Sequence, residues 1–310
     1  MKRFILKSLA FILCFALLLL LVIVLMPKSK SPSYNLYNYK MELLEKVPSP
    51  RLIFVSGSSL YTSLDSKRIE DSLHIPVINS GLHAGIGLKY TIDDISQYIR
   101  MGDMVAIGAE YPQFYTYAYG NKTLAVILYY NGWRNLNSLN VKQWMNVITG
   151  LPYIIRVNLF EGLFTHELMG RYTDPKQAIN KNGDEISHWK IKTDGSGIVS
   201  GASKSKLMLD TVFCDYFINK IKEMEAKGAK VILIPSVIRE TAFQYEKERA
   251  YELDAFFKKH GYAYHSTPES HVMPDSFAWN TDYHMNYKGV ERNTDVLISE
   301  FFSLINCLEH

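Results

Sequence analysis

The sequence predicts an α/β protein in which helices cover both faces of a parallel sheet, with one apolar helix ahead of it that crosses a membrane. Three observations predict this. Short apolar runs rich in β-branched residues alternate with longer helix-patterned stretches, the order produced by right-handed β-α-β units. Each apolar run stops at turn formers, as buried parallel strands do. Residues 1–26 differ from everything that follows, being apolar and free of acidic groups.

From residue 8 to residue 26 no side chain is charged. At about 1.5 Å per residue, and with Phe4, Ile5 and Leu6 added, the run crosses a hydrocarbon core of about 30 Å. Lys2, Arg3 and Lys7 precede it, so the positive-inside rule places the N-terminus in the cytoplasm and the rest outside the cytoplasmic membrane. A cleaved signal peptide competes poorly. The run exceeds the usual apolar stretch of about 7–15 residues, and residues 22–31 offer no small-x-small cleavage site. The expectation is a single-pass signal anchor over 1–26, with an extracytoplasmic domain in the periplasm or at the cell surface.

Residues 27–50 carry Pro and Ser at both ends and read as a spacer, with a short helix over 40–46. Strands are expected at 51–57, 76–81, 104–111 and 229–236, with a fifth at 262–266. Helices are expected at 66–73, 88–100, 204–227, 239–260 and 287–305, two of them closed by Gly228 and Gly261. Strands three and four are separated by an insertion, 112–203, too long for a bare loop. It should hold helices at 123–130, 141–149 and 153–167 and a hairpin at 177–199. The domain is thus 51–310.

Composition narrows the function. With 47% hydrophobic and 21% charged residues the chain can bury a core and is neither disordered nor a disulfide scaffold. The formal charge of +3 is local to the anchor, since the remaining 31 basic groups balance 31 acidic ones. A nucleic-acid binder would show a basic face, so no nucleic-acid partner is expected. Three cysteines, Cys14, Cys214 and Cys307, and no Cys/His cluster at zinc spacing argue against a metal site; His265 and His271 have no partner at ligand spacing. The glycines of 81–89 match neither the phosphate-loop nor the dinucleotide spacing. No cofactor is expected.

In an open parallel sheet, functional groups gather at the carboxyl ends of the strands. The first strand ends in Ser56-Gly57-Ser58-Ser59-Leu60. A serine beyond a glycine turn at a helix start can present its hydroxyl as a nucleophile, or can simply cap the helix. The second strand ends in Asn79-Ser80-Gly81-Leu82-His83-Ala84-Gly85, small enough for backbone N–H groups to approach a ligand. Before the last helix lies Asn280-Thr281-Asp282-Tyr283-His284. An imidazole beside a carboxylate is what a serine needs to lose its proton.

Taken together, these three segments resemble the SGNH/GDSL-type hydrolase superfamily over roughly 51–111 and 204–306. The resemblance implies a three-layer, flavodoxin-like fold with a five-stranded parallel sheet of order 2-1-3-4-5. It makes Ser59 the nucleophile and His284 the base; Asp282, the near carboxylate, is favoured as the residue that orients His284, with Asn280 as the alternative. Backbone N–H groups of Ser59 and of Ala84 or Gly85 would form the oxyanion hole. Two positions depart from the pattern. Where the family carries an oxyanion-donating Asn, this chain has Glu110, which cannot donate when ionised, with Tyr111 and Gln113 as substitutes. Where the family's acid stands three residues before His, this chain has Thr281, with Asp282 at minus two, as in alginate O-acetyltransferases, and Asn280 at minus four. The implied function is a serine esterase or O-acyltransferase, O-acetyl in the first place, acting on acyl esters of an envelope glycan or exopolysaccharide, with a multi-span acyl donor protein as membrane partner. The alternative is a catalytically silent SGNH-like module that binds a polysaccharide or a synthase.

Overall fold

The computed structural model describes residues 1–26, 32–158, 178–198, 200–201 and 207–306. Four parallel strands, β1 (Leu52–Val55), β2 (Val77–Asn79), β3 (Met104–Ile107) and β4 (Lys230–Leu233), form one sheet of order β2-β1-β3-β4. Leu52 is in register with Val77 on one side and Met104 on the other, and Met104 with Lys230. The fifth strand expected at 262–266 shrinks to one parallel bridge, Leu233 to Tyr264. The His265 N–H donates to the Leu233 carbonyl at 2.7 Å, and no longer ladder forms.

Alternation along the strands builds two cores. Leu52, Phe54 and Ala106 face α4 (Ser66–Leu73) and α10 (Tyr287–Asn306). Ile53, Val55, Val105 and Ile107 face the other layer, which holds α2 (Pro32–Lys46), α5 (Leu88–Ile95), α8 (Thr211–Ala226) and α9 (Glu240–Lys259). Helices therefore cover both faces, which is why all four residues of β1 are buried.

The segment expected to be a spacer is instead part of this layer. Helix α2 runs to Lys46 from Pro32, and it buries Leu36, Tyr37, Met41 and Leu44. Arg51, fully buried at the start of β1, ties it down. Its guanidinium donates to the Leu44 and Val47 carbonyls at 2.6 and 2.7 Å and pairs with Asp103 at 3.1 Å. The polar ends of 27–50 concealed this apolar stripe at helical spacing.

In the insertion, α6 (Lys122–Tyr130) forms as expected. The two helices expected at 141–149 and 153–167 begin as one, α7 (Val141–Arg156), which passes through Pro152; residues 159–167 lie outside the described residues. The expected hairpin at 177–199, whose ends also lie outside them, is reduced to a single antiparallel bridge, Ile179 to Glu185. That turn caps the edge of β2, where the Asn79 N–H donates to the Asn182 carbonyl at 2.8 Å and Asn182 Nδ2 to the Val77 carbonyl at 2.8 Å. Cys307 and the helix start at 204–206 also lie outside the described residues.

Ahead of the domain, α1 (Lys2–Leu25) is long and apolar enough to span a membrane. Two further short pairs form among the described residues. They are parallel β5 (Ile238–Arg239) with β6 (Val272–Met273), and antiparallel β7 (Ala278–Thr281) with β8 (His284–Met285).

Candidate active site

Helix α3 (Ser58–Thr62) starts directly beyond β1, with Gly57 at its N-cap. Its first free N–H groups face Glu110, at the turn after β3. The Glu110 carboxylate accepts from the Gly57 N–H at 3.1 Å and from the Ser59 N–H at 2.9 Å. Gly57 lets that carboxylate approach the backbone, since a Cβ there would meet it and force the Glu110 side chain to shift. Burial pushes the Glu110 carboxyl above its ordinary range, against the opposite pull of the backbone N–H groups around it.

Ser59 is fully buried, and its hydroxyl donates to the Gly108 carbonyl at 3.3 Å. Its hydroxyl and its N–H are both engaged inside the protein, so this geometry gives Ser59 neither the nucleophile's nor the oxyanion donor's position. Ser58 is half-buried, and its hydroxyl lies 3.5 Å from Glu110 Oε1.

The turn after β2 narrows the oxyanion assignment in the same way. The Gly85 N–H donates to His83 Nδ1 at 2.9 Å, leaving Ala84, the half-buried first residue of a 3-10 turn, as the backbone group of that pair without such a bond among the described residues. Gln113 is buried in the 3-10 turn Tyr111–Phe114, and its side-chain oxygen has no hydrogen-bond partner among the described residues.

His284 lies on β8, which packs on α3 through Ser63, whose hydroxyl accepts from the Met285 N–H at 3.1 Å. Its orienting partner is Asn280, with His284 Nδ1 2.8 Å from Asn280 Oδ1. An amide oxygen accepts, so Nδ1 carries the proton and Nε2 keeps its lone pair. Burial first, then the neighbouring His188 and His83, hold the His284 pKa down to about 4, which leaves the ring unprotonated at neutral pH and makes it a weaker base than an ordinary imidazole. Asp282 points elsewhere. It takes Arg239 Nε at 2.8 Å on one oxygen, and the Ser200 hydroxyl and Gly201 N–H on the other at 3.0 and 2.8 Å. The expected Asp282–His284 pair is not formed because a carboxylate two residues back on this strand pair is drawn to the buried guanidinium. Among the described residues no hydrogen bond joins His284 to Ser58 or Ser59.

Around His284 and the turn after β2 gather residues that the sequence did not single out. Trp279 stacks on His188 with centroids 4.3 Å apart and lies 6.2 Å from the His284 ring. His188 Nε2 is 3.0 Å from the Met285 carbonyl, and Tyr61 donates to Glu185 at 3.1 Å. Lys40 of α2 is fully buried, 4.2 Å above the Tyr61 ring, and donates to the Gly81 carbonyl. Burial holds its pKa down to about 7, against the attraction of Asp184 and Glu185. The only sequence signal for His188 and Glu185 is that they follow the polar Asn-Gly-Asp turn of the insertion; for Lys40 there is none.

Beside Asn280 opens a pocket of about 340 Å³ whose lining includes Tyr117, Glu246, Asp282 and Tyr283. Glu246 pairs with Arg249 at 2.8 Å through one oxygen, and the other is buried without a hydrogen bond among the described residues. No group of three or more His, Cys, Asp or Glu among the described residues is arranged to hold a metal ion. No protein-family model, no curated protein and no solved structure matches the chain.

Proposed function

We propose that the protein is an SGNH-like serine esterase or O-acyltransferase acting on acyl esters of an envelope glycan on the outer side of the cytoplasmic membrane. The observation that carries this reading is the neutral His284, oriented through Nδ1 by Asn280, on a strand that packs against the helix bearing Ser58. Ser58 takes the nucleophile's role that the family resemblance gives to Ser59, because it is the serine of the pair whose hydroxyl is not closed into the core. Ser58 Oγ attacks the acyl carbonyl carbon while its proton passes to His284 Nε2. The alkoxide leaves with that proton, and a glycan hydroxyl or water then takes the acyl group from the serine. The Ala84 N–H is the remaining backbone donor for the oxyanion. A multi-span membrane protein is the proposed acyl donor for transfer.

A fluorophosphonate probe tests the assignment, since its phosphorus stands in for the attacked carbonyl carbon. Ser58→Ala should abolish labelling, and Ser59→Ala should keep it. Labelling lost only in Ser59→Ala would return the role to Ser59. A second reading rests on Glu110, whose carboxylate fills the place an oxyanion would take. On that reading the protein is a silent glycan- or partner-binding module, and no variant or wild type would be labelled.

A further inference from the structure

We infer that helix α7 lies in the outer interfacial layer of the bilayer and makes a second contact between the domain and lipid. Along α7, Val141, Trp144, Met145 and Ile148 are exposed, at 79, 39, 55 and 56% of their full surface. Their spacing of three and four residues puts them on one face. The opposite face, with Gln143, Val147, Gly150 and Ile154, is buried, and Gly150 allows the close approach to α6, where a Cβ would meet Ala125. The helix is thus firmly seated and leaves an apolar stripe uncovered. Isolated exposed apolar side chains need no explanation; an aligned stripe with a tryptophan does.

What covers the stripe follows from the anchor. The outer end of α1 is not free of the domain. Ile23 is buried in the same core as α6 and α7, Leu19 and Met26 pack against it, and α1 contacts α7 directly. The Tyr129 hydroxyl of α6 donates to the Met26 carbonyl at 2.8 Å. Leu19 to Met26 spans about 10 Å of helix rise, so an element touching it stands at the depth of the headgroups and the first acyl carbons. Arg156, exposed at the end of the helix, supplies charge for the headgroup side. Trp and Tyr prefer this layer because their rings are apolar and their edges polar. A single-pass helix alone leaves a domain to swivel; a second, interfacial helix fixes which side of it faces the membrane. This inference concerns the α7 surface and stands whether or not the site is catalytic.

The test uses the full chain reconstituted in phosphatidylcholine/phosphatidylglycerol vesicles, with the native cysteines replaced and a nitroxide placed at Met145→Cys, Ile148→Cys or, as a control across the sheet, at exposed Ser72→Cys on α4. Collision with oxygen should exceed collision with a water-soluble nickel chelate at 145 and 148 by severalfold relative to position 72. Equal accessibility to the chelate at all three positions would overturn the inference. Low accessibility to both reagents at 145 and 148 would also overturn it, pointing to a protein surface such as a second copy instead of lipid. An Ile148→Asp variant that keeps its melting temperature should lose the oxygen preference at Met145→Cys.

Discussion

Asn280 Oδ1 holds His284 Nδ1 at 2.8 Å, while the carboxylate two residues on, Asp282, faces away to Arg239. On the proposed function an amide thus fixes the tautomer of the base without adding a charge. The two side chains should separate cleanly by mutation. Asn280→Ala should slow fluorophosphonate labelling about tenfold or more, with little change in melting, because it frees the imidazole to rotate. Asp282→Ala should instead lower stability by about 2 kcal/mol, since it removes the shorter of the two carboxylate contacts of a buried guanidinium and leaves it Asp275 at 3.5 Å. Slow labelling in a fully stable Asp282→Ala protein would reverse these roles.

The pH dependence follows from the same ring. His284 has its pKa depressed to about 4, below the ordinary value near 6.5, so it stays unprotonated through the range in which most histidines protonate. Labelling rate should be flat from pH 8 to about 5.5 and fall with a midpoint near 4. Stability contributed by the neutral ring is complete above the unfolded pKa and is lost as pH falls through the folded one. A labelling midpoint near 6.5 would contradict this description of the site.

How much of this was legible depends on which interactions are local. The strands read correctly because a buried parallel strand needs a continuous apolar run, and β1 to β4 have one each. The fifth is shorter than expected because Tyr262 to Ser266 holds no continuous apolar run, every second residue is exposed, and only Tyr264 bridges to the sheet. His284 and the Ser58-Ser59 pair were visible as chemistry-bearing residues at strand ends. Which serine is closed into the core was not, since it depends on Glu110 reaching across from the neighbouring strand. Asp282 misled for the same reason: its partner Arg239 lies 43 residues away. Lys40, His188 and Trp279 join the site from a supposed spacer, from the insertion and from the β7 strand, and no spacing in the sequence connects them.

Glu110 offers a test of whether the helix start can serve an oxyanion. Glu110→Gln keeps the shape but removes the charge that the Gly57 and Ser59 N–H groups now bind. On the enzymatic reading, labelling of Ser58 should rise severalfold, because an anionic adduct no longer meets a carboxylate. On the binding-module reading the variant stays unlabelled like the wild type. A fall in labelling with unchanged melting would give Glu110 a positioning role toward the Ser58 hydroxyl, 3.5 Å away.

Topology is open to a direct measurement. Protease added to spheroplasts should degrade everything after residue 26, while a tag placed ahead of Lys2 should survive until the membrane is opened. Protection of the domain would place it in the cytoplasm and remove the envelope glycan from consideration.

Lys40 provides the last prediction, because its burial couples the fold of α2 to pH. The amine, fully buried, donates to the Gly81 carbonyl, at the root of the loop that carries Ala84 and Gly85. Its pKa drops to about 7 in the fold, from an ordinary value of 10.5. A depressed amine binds its proton more weakly folded than unfolded, so the stability it allows is fully present above the unfolded pKa and is lost as pH falls toward 7. In the wild type, relative to Lys40→Met, unfolding free energy should rise between pH 7 and 10 with a slope of up to about 1.4 kcal/mol per pH unit. Losing the donor to Gly81 costs the variant about 1 kcal/mol at every pH. That offset shifts the difference without changing its slope, which makes the slope diagnostic. Urea titrations of both proteins from pH 7 to 9.5 measure it, and parallel curves would show that Lys40 keeps an ordinary pKa and that its ammonium is accommodated by Asp184, Glu185 and the Tyr61 ring.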